Sequence, residues 1–210
     1  MSAKTSGATQ PLRILVVCTG NICRSPLAHQ LLQTMADQAG LPVVVSSAGT
    51  YAEVGNPMHP QSVRSMQELG FEPQAHLARQ LTSELLQETD LVISATEEHR
   101  SFVARTNPAA IKRSFTMLEL ARVAGYLSEK PEAIDAGVFQ QAKTLQQKIE
   151  LAGRYRGYAP PAQTAEDVLD PWGRDYAEYL RVAKQMQRVL IEITNWWGPA
   201  NDSNEHDFSK

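Results

Sequence analysis

Apolar residues in this chain fall into short continuous runs that alternate with stretches where they recur every three or four positions. Leu12 to Val17 is a nearly unbroken apolar run of the kind a parallel sheet buries on both faces. Val43 to Ser46, Asp90 to Ala95 and Ser114 to Met117 read as three further strands. Between them, Leu27, Leu31, Leu32, Met35 and Ala39 mark a helix that Gly40 and Pro42 end. Gln61 to Leu69 is a short helix with Val63, Met66 and Leu69 inward and Gly70 after it, and Thr82 to Gln87 is another. Thr96 has the character of an N-cap, with Glu97 and Glu98 in the first turn of a helix that stops before Asn107-Pro108. Leu118 to Ala124 and Tyr176 to Trp197 complete the set, the last with Tyr176, Leu180, Ala183, Met186, Leu190, Ile193 and Trp197 on one face. Strand and helix in alternation predict an α/β fold: a doubly wound, four-stranded parallel sheet in the order 2-1-3-4 with helices on both faces.

Composition narrows the classes of partner. The chain has 210 residues, 42% hydrophobic and 20% charged, enough for one good core. A net charge of −3 gives no basic surplus to hold nucleic acid or an anionic membrane, so any anion site must be local. No run approaches the roughly 18 apolar residues of a membrane span. Residues 1–11 lack the apolar core of a signal peptide, and the expectation is a cytoplasmic, monomeric protein with no nucleic-acid or membrane partner. Residues 1–11 and 198–210 are polar and read as disordered tails around a single domain, 12–197.

The candidate chemistry lies in Cys18 to Pro26, CTGNICRSP, between the first strand and the first helix. A strand, a tight loop and a helix N-terminus in succession aim backbone N–H groups at one point, a cradle for a tetrahedral oxyanion. Thr19, Gly20, Asn21, Ile22, Cys23, Arg24 and Ser25 would supply those amides. The same groups favour a negatively charged Cys18 sulfur, so one loop both activates a nucleophile and binds its target. Arg24 presents a planar fork for two phosphate oxygens, and Ser25 is placed to hydrogen-bond the sulfur. Gly20 and Asn21 tolerate the left-handed backbone such a loop needs. Cys23 has two readings: an inert buried residue, or a partner for a reversible disulfide with Cys18 under oxidation. Nothing in this chemistry requires a metal or a cofactor.

CTGNICRSP resembles the phosphate-binding loop of the low-molecular-weight protein tyrosine phosphatases. SAGT at Ser47 to Thr50, HLARQLT at His76 to Thr82 and DPWG at Asp170 to Gly173 follow in that family's order. The resemblance implies a phosphotyrosine-containing protein as substrate, Cys18 as nucleophile through a cysteinyl phosphate, and Asp170 as general acid. A carboxylic acid opposite the sulfur suits the chemistry, because a phenolate leaves poorly unless protonated. Asp167 is the rival, read as a surface or capping residue. The resemblance further implies that Ser47 and His76 support Asn21, and that Tyr51 and Trp172 wall the substrate pocket. Arg79 is expected to pair with a local carboxylate. Ala95 and Thr96 stand where many relatives carry methionine and aspartate.

Residues 125–166 fall outside the resemblance and form an insertion. Phe139, Ala142, Leu145, Ile149 and Ala152 at helical spacing predict an extra helix there. Arg154, Tyr155, Arg156 and Tyr158, before Pro160-Pro161, read either as a solvated linker or as a contact surface for the substrate. Two other functions fit the same loop: arsenate reduction with a small-molecule thiol, and non-catalytic binding of phosphoproteins.

Overall fold

The structure is a computed structural model describing residues 10–129, 142, 144–162 and 164–198. Strands β1 (Leu12–Cys18), β2 (Val43–Gly49), β3 (Leu91–Ser94) and β4 (Ser114–Thr116) form one parallel sheet in the order β2-β1-β3-β4, as the alternation predicts. The chain steps from β1 out to β2 and then back across to β3, which puts a topological switch point beside the C-terminal end of β1.

Alternate residues of β1 serve opposite faces. Ile14 and Val16 join a cluster with Leu27, Leu31 and Leu32 of α1 (Arg24–Gln38), Leu120 of α5 (Met117–Glu129) and Leu190 of the last helix. Leu15 and Val17 face Leu86 of α3 (Ser83–Gln87), Val103 of α4 (Glu97–Thr106) and Ala110 of a 3-10 turn, Pro108–Arg113. A parallel strand buried on both faces needs the continuous apolar run that β1 carries.

Boundaries differ from the pattern where a cap decides them. Helix α1 begins at Arg24, before its apolar periodicity, and β2 runs on through Ser47 to Gly49. Helix α2 covers Pro60–Glu68. Met117 opens α5 rather than closing β4, because the amide of Glu119 bonds Thr116 Oγ1 and the Glu119 carboxylate returns to Thr116 N. Helix α5 then continues to Glu129, past the expected end at Ala124. The predicted extra helix exists as α6 (Leu145–Tyr155), with Leu145, Ile149 and Ala152 buried; a capping box of Thr144 and Gln147 starts it after Ala142, and Phe139 lies outside the described residues. Residues 1–9 and 199–210 of the expected tails also lie outside them.

The connector after α6 is not simply solvated. Arg156 lies over the Phe115 ring at 4.1 Å from its centroid and pairs with the buried Glu119 carboxylate at 3.0 Å. Helix α7 (Tyr176–Trp197) has the predicted bounds, but Tyr179, Val182 and Val189 are buried while Tyr176 and Leu180 are only partly so. It packs against α1 and α2 as well as α5, so its apolar stripe is wider than one row. Among the described residues no helix is long and apolar enough to cross a membrane.

Glycine is needed at the end of β2. A Cβ on Gly49 would stand 2.3 Å from the Thr19 carbonyl oxygen and 3.0 Å from Ala52. Gly49→Ala should therefore destabilise the fold by about 1–3 kcal/mol, read as a lower urea midpoint at unchanged slope.

Candidate active site

Four of the segments singled out from the sequence meet at the C-terminal ends of β1, β2 and β3. Residues 19–23 join Cys18, the last residue of β1, to Arg24, the first of α1, and Asn21 alone among the described non-glycine residues has a positive φ, 56°. Gly20 does not share that left-handed backbone, contrary to expectation. Cys23 occupies the N-cap of α1 and makes no capping side-chain bond. Thr82, Thr96, Thr144 and Asp175 cap their helices with side-chain oxygens. Helix α1 thus keeps first-turn donors without a side-chain partner, which an anion can satisfy.

Asn21 is fully buried, and its side chain is bonded on both ends. Its Nδ2 donates to Ser25 Oγ at 2.8 Å and Ser47 Oγ at 2.9 Å, and its Oδ1 accepts from the Arg79 amide at 2.9 Å. His76 Nε2 lies 2.7 Å from the Asn21 carbonyl, so the ring N–H donates there. Burial lowers the His76 pKa against the opposing pull of its bond to Asn21, and Arg79 adds a smaller push in the same downward sense. Arg79 corrects the sequence reading: instead of a carboxylate, its Nε meets the Ser47 carbonyl at 2.8 Å. Gln80, in the same HLARQLT motif, bonds Ala52 N and Thr50 O and so fixes the loop after β2.

Cys18 Sγ lies 2.9 Å from Ser25 Oγ. Arg24 is buried, with Nη2 on Asp170 Oδ2 at 2.6 Å and Nη1 on the Val168 carbonyl at 3.2 Å. Its Nε is buried without a partner. A cavity of about 190 Å³ is lined by Cys18, Thr19, Gly20, Ile22, Cys23, Arg24, Tyr51, Glu53, Asp170 and Trp172. Tyr51 packs edge-on against Phe102, and Trp172 against His59. Asp167 stands apart from the cavity lining; its Oδ1 accepts from Glu97 N at 2.8 Å and caps α4.

Cys18 and Cys23 are both free. Cys23 lies among Ile22, Ala78 and Tyr179, with its sulfur 3.9 Å from the Tyr179 hydroxyl. Burial pushes its thiol up to about 11, which disfavours a reactive thiolate and weighs toward the inert reading.

Sequence reasoning missed His99 and Glu53. His99 is buried at N3 of α4, with Nδ1 2.6 Å from Thr96 Oγ1 and Nε2 2.8 Å from Thr19 Oγ1. A neutral ring donates at one nitrogen and accepts at the other, which links α4 to the loop after β1. The Thr-x-x-His spacing at a helix start was the available signal.

Residues 13–125 match the low molecular weight phosphotyrosine protein phosphatase family. The chain belongs to that family, and is a hydrolase. Among its relatives is a probable low molecular weight protein-tyrosine-phosphatase, AmsI, of Erwinia amylovora, 40% identical over 106 residues that span 50% of this chain and 69% of the relative. The protein-arginine-phosphatase of Bacillus subtilis is 36% identical, over 50% of this chain and 70% of its own length. The crystal structure of the low molecular weight protein tyrosine phosphatase from T. tengcongensis superposes with a TM-score of 0.65 at 23% identity, covering 88% of this chain and 98% of that one, a likeness of fold. These relatives are phosphatases, which does not favour arsenate reduction.

Burial first, then the Arg24 guanidinium, lowers His99 to about 4, against the smaller opposing pull of Asp170 and Asp167. The unfolded ring titrates near 6.5. Between these values the unfolded chain holds the extra proton, so stability is full above about pH 6.5 and falls as pH drops toward 4. His29, partly buried and lowered to about 4 by desolvation, acts in the same sense. His99→Gln should remove about 2–3 kcal/mol of the loss between pH 7 and 4.5, measured from urea unfolding at both values.

Proposed function

We propose that this chain is a phosphotyrosine protein phosphatase working through a cysteinyl-phosphate intermediate. The Cys18 thiolate attacks phosphorus in line while the amides of residues 19–24 and the Arg24 guanidinium hold the equatorial oxygens. The bond from phosphorus to the tyrosyl oxygen breaks, and that oxygen takes the Asp170 proton. Water then attacks the cysteinyl phosphate, Asp170 accepts its proton, and Cys18 leaves as thiolate with the Ser25 hydroxyl beside it. The observation carrying this reading is the cavity that has Cys18, Arg24 and Asp170 on a single lining. The unpartnered Arg24 Nε adds a donor for the phosphate.

Ser47 and His76 act through Asn21, keeping its left-handed turn in place. Tyr51 and Trp172, both largely exposed at the mouth, offer aryl faces to a phenyl ring, which a shorter phosphoserine would not reach. Two free cysteines suit a reducing, cytoplasmic setting. A second reading, a phosphorylated arginine, draws on Glu53, whose carboxylate lines the cavity and could pair with a guanidinium, and on the relative of Bacillus subtilis named for that activity.

Cys18→Ser should abolish turnover of para-nitrophenyl phosphate and of phosphotyrosine peptides. Asp170→Ala should lower kcat/KM for phosphotyrosine by about 10²–10⁴-fold. Full activity in either variant would reject the assigned role. A matched phosphoarginine peptide, with Glu53→Gln alongside, decides between the two substrates by kcat/KM.

A further inference from the structure

The segment leading to Asp170 is held almost residue by residue. Arg122 of α5 grips Glu166 with two bonds, Nε to Oε1 at 2.6 Å and Nη2 to Oε2 at 3.2 Å. Its remaining nitrogen, Nη1, donates to the carbonyls of Pro160 at 2.8 Å and Ala159 at 3.3 Å. Next, Asp167 accepts from Glu97 N; Val168 N then donates to the Ala95 carbonyl at 2.8 Å, and Val168 O accepts from Arg24. Asp170 comes two residues later, at a step that Pro171 stiffens.

The Arg122–Glu166 pair differs from the ordinary surface pairs of this protein. Arg13 and Glu88 are 61% and 69% exposed, and such pairs hold little. Arg122 and Glu166 are each 23% exposed, bidentate, and 44 residues apart in sequence. The guanidinium also reaches back to the end of the insertion, so a single side chain joins α5, the connector after α6 and the approach to Asp170.

We propose that Arg122 is a positioning residue for Asp170: by clamping Glu166 and the 159–160 carbonyls, it sets where the acid loop enters the site. This rests on the reading of Asp170 as proton donor. Arg122 does not line the cavity, so its effect on chemistry runs through the placement of that carboxyl.

The test is kcat/KM for a series of aryl phosphates from good to poor leaving groups, with wild type, Arg122→Ala, Arg122→Lys, Glu166→Gln and Asp170→Ala. A good leaving group departs with little help from an acid, whereas a poor one needs it. Arg122→Ala should leave the nitrophenyl ester within a fewfold of wild type and lower the poorest ester by about ten- to a hundredfold. Lysine, a point charge, should restore part of the loss, and Glu166→Gln should reproduce the pattern should Arg122→Ala not fold. An equal loss across the series, or none, overturns the proposal while a steepened dependence in Asp170→Ala keeps the acid assignment. A wild-type dependence in Asp170→Ala overturns both.

Discussion

Asn21 in its left-handed turn is the constraint on which the site depends. A non-glycine residue at φ 56° is disfavoured unless its surroundings hold it. Here the surroundings are Ser25 in the first turn of α1, Ser47 on β2, and His76 and Arg79 on the segment beyond α2. Each ties a different part of the chain to one buried amide. Removing a partner would leave a buried polar group unsatisfied, at about 1–3 kcal/mol. The loop's shape is thus a property of the whole sheet edge rather than of the nine residues that spell it.

A second set of contacts gathers on α4. Thr96 caps α4, His99 reaches from its first turn to Thr19, and Asp167 caps the same turn from the segment that leads to Asp170. Helix α4 is therefore the hub between the loop after β1 and the segment before Asp170. The Arg156–Glu119 pair braces this region from behind, since Glu119 also lies 4.0 Å from Arg100 of α4. Helix α6 and the connector after it are tied to the rest of the fold through this charge cluster and through Lys148, whose ammonium meets the carbonyls of Trp196, Trp197 and Gly198 at the end of α7.

The fold and the contiguous part of the site were legible because neighbours in sequence stayed neighbours in space. Strand, loop and helix from Leu12 to Gln38 needed only a period of two faces, a glycine-bearing loop and a helical period. The Asp-Pro step was legible through resemblance. What escaped was contact across long loops. His99 meets Thr19 from 80 residues away, and Arg122 meets Glu166 from 44. Arg79 illustrates a different limit: an arginine suggests a carboxylate, yet a strand carbonyl satisfied it. The start of α6 turned on a Thr-x-x-Gln capping box that apolar spacing does not register.

The contact between Arg24 and Asp170 has its own consequence for which anions the cavity prefers. An anion that engages the guanidinium competes with a carboxylate 2.6 Å away. A doubly charged phosphate monoester brings more charge to that exchange than a singly charged sulfate ester of the same shape. The carboxylate it displaces then loses its partner and faces the anion's own charge. Filling the cavity and freeing Asp170 from the guanidinium become one linked equilibrium under the proposed reading, in which an arriving ester itself releases the side chain it will need.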